Sequence, residues 1–150
     1  MPSAFYNVRS QLLTTNSFGQ DQNCYFCTIA ALLNMTTSQL VAHAQTMQQV
    51  TANADEIVAL MRDAGIPNPT YATFQHLTAI DQAVSSLPNG GHVGLAYTRS
   101  DGSGHMIVVG RMLFSGAIRC IDYQASPPRV TDAFPEDLST IVAMHLFYMA

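Results

Sequence analysis

The chain has 150 residues, 48% apolar and 11% charged, with a formal net charge of −4. This length suits one ordinary domain, so we expect a single domain spanning residues 1–150. All six basic residues are scattered arginines, which form no basic stripe and predict no nucleic-acid partner. No apolar run approaches the ~20 residues of a membrane helix, and the N-terminus lacks signal-peptide features, so membrane insertion is not expected.

The first half of the chain has helical patterns. Residues 14–23 are polar and predict a loop, after which residues 24–33 carry apolar side chains at helical spacing, with Asn23 as the N-cap. Further helices are predicted at about 38–49, 54–64 and 74–87.

The second half changes to short apolar runs separated by turn residues, which is typical of strands. Strands are predicted at 92–98, 105–111, 117–123 and 141–148, with a proline-broken loop at 125–129. Helices followed by antiparallel strands predict an α+β fold in which the helices pack on a C-terminal antiparallel sheet.

The three cysteines, Cys24, Cys27 and Cys120, are too few and too odd in number for a disulfide scaffold. Without a second cysteine pair or a close histidine they make a poor zinc site, so no metal or cofactor is predicted. A redox pair formed by Cys24 and Cys27 is the alternative, although such a motif should follow a strand rather than a polar loop. Cys27 and Cys120 are interpreted as core residues.

Cys24 is the candidate nucleophile, because it opens a predicted helix whose free N–H groups and dipole stabilise a thiolate. His105 opens a predicted strand after Gly104 and is the candidate base, with His92 as its rival. If strands 105–111 and 117–122 pair antiparallel, Asp122 lies beside His105 and can orient the imidazole. Each residue alone has an ordinary structural explanation, so the hypothesis depends on the three together.

These residues resemble a known family. The chain has Asn23-Cys24 opening a helix, Gly104-His105 opening a strand, and Asp122-Tyr123-Gln124 ending the next strand. This order is similar to that of the papain-fold toxin domains of bacterial polymorphic toxins and secreted effectors. It is also similar to the wider papain-like superfamily, including bacteriocin-processing peptidases. The resemblance covers roughly residues 20–125.

The resemblance implies a papain-like fold and a Cys24–His105 thiolate–imidazolium pair whose imidazole is held by Asp122. It also implies an oxyanion donor before the nucleophile, for which Gln22 is the candidate, with Gln20 or the Cys24 backbone N–H as alternatives. The papain helix has two cysteines three apart and uses the later one, so Cys27 is the alternative nucleophile.

The activity that the resemblance implies is hydrolysis of amide bonds in a target protein, by glutamine deamidation first and by peptide cleavage or transglutamination as alternatives. A non-catalytic papain-fold binding module is the non-enzymatic alternative. The chain would then be a bacterial toxin or secreted effector that lacks a signal peptide. It would act in the cytoplasm of a host or competitor cell. A cognate immunity protein is a possible partner in that case.

Overall fold

The computed structural model describes residues 28, 29, 31, 32, 54–125 and 128–149. This part of the chain is α+β, with two helices packed on a six-stranded sheet. The helices are α1 (Ala54–Asp63) and α2 (Leu77–Ser85), with a short 3-10 helix at Leu138–Thr140. The strands are β1 (Pro69–Phe74), β2 (His92–Arg99), β3 (Gly104–Arg111), β4 (Ile118–Asp122), β5 (Arg129–Thr131) and β6 (Ile141–Met149).

The sheet is antiparallel throughout, in the order β1-β6-β2-β3-β4-β5. Successive residues of a strand point to opposite faces, so the sheet contributes to two separate cores. On what we term the first face, strand residues such as Met106 and Val108 pack with α1 and with the buried helical residues Ile29, Ala31 and Leu32. On the second face, residues such as Leu95 and Ile107 pack with α2.

Helix α1 forms where the sequence predicts it. Asp55 and Glu56 lie in its first turn and Arg62 in its last, the charge order that the helix dipole favours. Ile57, Leu60 and Met61 are buried on one side. Gly65, with a φ of +96°, follows the helix in the left-handed conformation that commonly ends helices.

The four predicted strands agree with β2, β3, β4 and β6 to within one residue at each end. The prediction of a helix over 74–87 is wrong at its start, because residues 69–74 form β1 and α2 begins only at Leu77. Strand β1, of which only Phe74 falls in the predicted helix, pairs along its whole length with β6, the last strand. This distant partner extends the sheet to residues for which no strand is predicted. The predicted loop at 125–129 ends in a short strand, β5, on the edge of β4.

The predicted helix over 24–33 is described only at residues 28, 29, 31 and 32, which are helical, and the one over 38–49 lies outside the described residues. None of the helices in the described ranges is long and apolar enough to cross a membrane.

Candidate functional site

His105 and Asp122 lie together on the second face of the sheet. His105 is the second residue of β3, and Asp122 is the last residue of β4. The pairing of Val108 with Ile121 places Asp122 across from Ile107, one diagonal step from His105. The His105 Nε2 atom is 2.9 Å from Asp122 Oδ2, and the two side chains are 12% and 27% exposed. The structure therefore brings the predicted base and the predicted orienting residue into direct contact.

The Asp122 carboxylate is held by groups that favour its charged form. Burial by itself raises the pKa of Asp122, but the hydrogen bond and charge of His105, with backbone N–H groups of Gln124 and Ala125, outweigh it and lower the pKa. Asp122 Oδ1 accepts from the Gln124 N–H at 3.0 Å, while Oδ2 faces the imidazole. An ionised carboxylate bound at both oxygens can hold an imidazole in one orientation.

His105 and Asp122 open into a cleft of about 260 Å³ on the second face. This volume is below the ~300–1,000 Å³ typical of pockets for drug-sized ligands, so the cleft suits a group of amino-acid side-chain size. The lining residues come from β2, β3, β4, β5 and the loop before the 3-10 helix: Tyr97, Arg99, His105, Ile107, Cys120, Asp122, Arg129, Thr131, Pro135 and Glu136.

One wall of the cleft is a network centred on Glu136. Arg99 donates from Nε to Glu136 Oε1 at 2.6 Å and from Nη2 to Oε2 at 2.7 Å, a two-point ion pair. The buried Tyr97 also donates its hydroxyl to Glu136 Oε2. The Tyr97 ring contacts Phe134 edge-on, at a centroid distance of 5.0 Å. These contacts hold the loop that carries Pro135 and Glu136 against β2.

The same network affects protonation inside the cleft. Burial raises the pKa of Tyr97, and the hydrogen bond and charge of Glu136 raise it further, so Tyr97 stays a neutral donor. The hydrogen bond from Arg99 lowers the pKa of Glu136 against the opposing effect of burial. The Tyr97 ring also lies edge-on to His105 at 5.8 Å between centroids, which limits the positions of the imidazole.

Cys120 lines the cleft but is a poor nucleophile. Cys120 is 7% exposed. Burial and the charge of Asp81 raise the pKa of its thiol to about 11. Cys120 pairs with Val109, four residues along β3 from His105. Its interpretation as a core residue is confirmed. Cys24 and Cys27 lie outside the described residues, as do Gln20, Gln22 and Asn23.

The described helical residues after Cys24 lie on the first face, opposite the cleft. Thr28 Oγ1 donates to the Met106 carbonyl at 2.8 Å, and Leu32 packs beside Gly94, which pairs with Val108. From Thr28 to Leu32 these residues therefore run in the same direction as β3. Thr28 lies nearer the beginning of β3, where His105 is located. A thiol on this face would reach the imidazole beside the first residues of β3, where the described ladder with β4 has ended.

The rival histidine, His92, has a structural environment. It is buried, its Nδ1 donates to the Gly90 carbonyl at 2.7 Å, and burial lowers its pKa. The ring lies over Gly110, where a Cβ atom would come within 2.4 Å of it. His92 thus stabilises the edge of the β2–β3 pair, away from the residues that line the cleft.

Within the described ranges, no three His, Cys, Asp or Glu side chains are placed to bind a metal.

Sequence reasoning missed Tyr97, Arg99 and Glu136. Tyr97 and Arg99 are two residues apart on β2 and therefore point to the same face as His105, a signal that the strand alternation contains. Glu136 comes from an irregular loop, and no local pattern predicts where such a loop passes.

No protein-family model matches the chain, and no curated protein matches it.

Proposed function

We propose that the chain is a cysteine-dependent amide hydrolase in which Cys24 is the nucleophile, His105 the base and Asp122 the residue that orients the imidazole. The observation that carries the proposal is the 2.9 Å contact between His105 Nε2 and an ionised Asp122 at the mouth of a cleft of side-chain size. A partly buried histidine held by a carboxylate suits general base catalysis, because the carboxylate orients the imidazole.

In this proposal the two ring nitrogens have different roles. Because Asp122 engages Nε2, the proton of the thiol passes to Nδ1. The thiolate attacks the amide carbonyl carbon, and the resulting oxyanion is held by Gln22, Gln20 or the Cys24 backbone N–H. The C–N bond then breaks, His105 returns the proton to the leaving nitrogen, and water hydrolyses the thioester with His105 as base.

The placement of the described helical residues supports Cys24 as the source of the thiol. Cys24 precedes Thr28 by four residues, about one helical turn, and Thr28 contacts the carbonyl of Met106, the neighbour of His105 in β3. The direction from Leu32 back to Thr28 leads to the beginning of β3. The helix that the sequence predicts from Cys24 would also lower the pKa of this thiol.

For the substrate we propose the glutamine side chain of a protein, which loses ammonia on deamidation. Peptide cleavage and transglutamination use the same steps with a different leaving or accepting amine. The resemblance of the ordered Cys24, His105 and Asp122 motifs to papain-fold toxin domains favours deamidation. On the same resemblance we propose that the chain is a secreted effector. It would act in the cytoplasm of a host or competitor cell and have a cognate immunity protein.

One observation favours a second function, a non-catalytic binding module of the same fold. The cleft that contains His105 lies on the second face, whereas Thr28, Ile29 and Leu32 pack on the first. In this case His105 and Asp122 contribute polar groups to a binding cleft, and the thiol of Cys24 takes no part.

Alkylation of the intact protein distinguishes these two functions. The wild type, His105→Ala and Asp122→Asn are treated briefly with limiting iodoacetamide at about pH 6, and the labelled cysteine is mapped by mass spectrometry. An ion pair predicts fast labelling of Cys24 that slows in both variants. Cys120, with its raised pKa, is the internal control and stays unlabelled in the folded protein. Fast labelling of Cys27 moves the nucleophile along the helix, and slow labelling of every cysteine rejects the enzyme in favour of the binding module.

A further inference from the structure

The cleft beside His105 is lined by an arginine, Arg129, whose guanidinium makes no hydrogen bond or ion pair within the described part of the chain. Two carboxylates and two guanidinium groups line it. Arg99 is neutralised by Glu136, and Asp122 accepts from His105 and from the Gln124 N–H. Arg129 has no ion pair or hydrogen bond from its side chain to any residue that the structure describes, and it is exposed. As far as the described residues go, the N–H donors of Arg129 are therefore free to bind an anion from outside.

Arg129 is positioned to contact a ligand that binds next to His105. Arg129 begins β5, and its Cα atom pairs directly with that of Asp122 in the antiparallel ladder. Directly paired residues point to the same face of a sheet, so Arg129 and Asp122 line the same cleft. The imidazole and the guanidinium thus lie on either side of Asp122, and one small ligand can contact both.

The chemistry of a guanidinium group indicates which ligand this is. Arginine presents a planar fork of N–H donors that matches the two oxygens of a carboxylate. The cleft, at about 260 Å³, has space for a short polar side chain and an adjacent carboxylate but not for a large cofactor. We propose that Arg129 binds a carboxylate of the substrate, so that the cleft selects an amide side chain that lies close to a carboxylate.

This inference relies on the proposed function for the identity of the reacting amide, but binding alone can test it. Two sources supply a carboxylate at that distance, an acidic side chain next to glutamine and the free α-carboxylate of glutamine itself. The probes are N-acetyl-Gln-Glu-amide for the first source and N-acetylglutamine for the second. N-acetyl-Gln-Gln-amide is the neutral control. Each is titrated against the ¹⁵N-labelled full chain, and the amide shifts of β4 and β5 report binding.

The variants separate the charge of Arg129 from general effects on the sheet. Arg129→Gln removes the charge, and Arg129→Lys keeps it without the planar fork. Arg119→Gln is the matched control, because Arg119 lies on the adjacent strand, pairs with Asp132 at 3.1 Å and is not among the residues that line the cleft. Since the Arg129 side chain is exposed and has no partner in the described residues, its replacement should leave the fold intact.

We expect at least one carboxylate probe to bind the wild type more tightly than the neutral control. Arg129→Gln should weaken that probe roughly fivefold, the size expected for a partly exposed ion pair, with a smaller loss in Arg129→Lys. Binding by one probe alone identifies the source of the carboxylate and supports the inference. Equal affinities of all three probes, no binding of either carboxylate probe, or an equal loss in Arg119→Gln overturns it. The alkylation result is independent of these outcomes, so the two proposals can fail separately.

Discussion

Replacement of Asp122 by asparagine measures how strongly the protein holds the pair formed by His105 and Asp122. The carboxylate accepts from His105 Nε2 at 2.9 Å and from the Gln124 N–H at 3.0 Å. Hydrogen bonds that involve a charged group contribute about 1.5–3 kcal/mol. Because the Asp122 side chain is 27% exposed, solvent screens it, and we expect the free energy of unfolding to fall by about 1–2 kcal/mol.

The pH dependence of this loss follows from the lowered pKa of Asp122. An aspartate in the unfolded chain has a pKa of about 3.9, and in the folded chain the pKa of Asp122 is lower, despite burial, because of His105 and the backbone N–H groups. The contribution of Asp122 to stability is therefore complete above about pH 4 and is lost as the pH falls through the folded-state pKa. The difference between wild type and Asp122→Asn should be largest at about pH 5–7 and shrink below about pH 4.

Urea unfolding followed by circular dichroism tests this, since the chain has no tryptophan for fluorescence. Asp63→Asn is the matched control, because Asp63 is exposed near the end of α1 and the loss of its charge should change stability little. If Asp122→Asn and Asp63→Asn behave alike, or if the Asp122 difference is the same at pH 3 and pH 7, the carboxylate does not hold His105 as described.

Two further substitutions test the surroundings of the cleft. Gly110→Ala should destabilise the protein by about 1–3 kcal/mol, because the new Cβ atom would clash with the His92 ring and with the Gly91 carbonyl oxygen. Thermal unfolding measures this loss. An unchanged Tm would contradict the packing of His92 over Gly110. Glu136→Gln should cost about 1 kcal/mol in urea unfolding, because Arg99 loses its charged partner, and should speed hydrogen exchange of the Arg99 backbone amide; unchanged exchange would mean that the network does not hold this wall.

Strands β2, β3 and β4 could be predicted because they follow one another in the chain and pair as neighbours, whereas β6 was predicted from its apolar run alone and pairs with distant strands. The turn at 100–103 lies between β2 and β3, and the alternation on each side sets the strand bounds. The contact between His105 and Asp122 was predictable for the same reason, since β3 and β4 follow each other in the chain and pair antiparallel. Strand β1 was not predictable, because its partner β6 lies at the other end of the chain and no local turn joins the two strands.

The face of the sheet on which the site lies was also beyond the sequence argument. Alternation shows that His105 and Met106 point to opposite faces, but it does not show which face the helical residues cover. Only the contact between Thr28 and the Met106 carbonyl, with the packing of Leu32 beside Gly94, assigns them to the first face. The wall of the cleft was missed because Glu136 reaches Tyr97 from a loop without periodicity.

The end of the ladder between β3 and β4 determines how a thiol could reach His105 from the first face. In the described residues this ladder runs from Arg111 and Ile118 to Val108 and Ile121, so it stops three residues before His105. On its other side His105 is paired with Tyr97 of β2, which closes that route. A nucleophile from the first face must therefore approach between β3 and the chain that leaves β4, where Asp122 holds the imidazole. Cys24 labelling that depends on His105 would show that the thiol meets the imidazole, as this gap allows. Labelling that does not depend on His105 would favour binding as the function of the cleft.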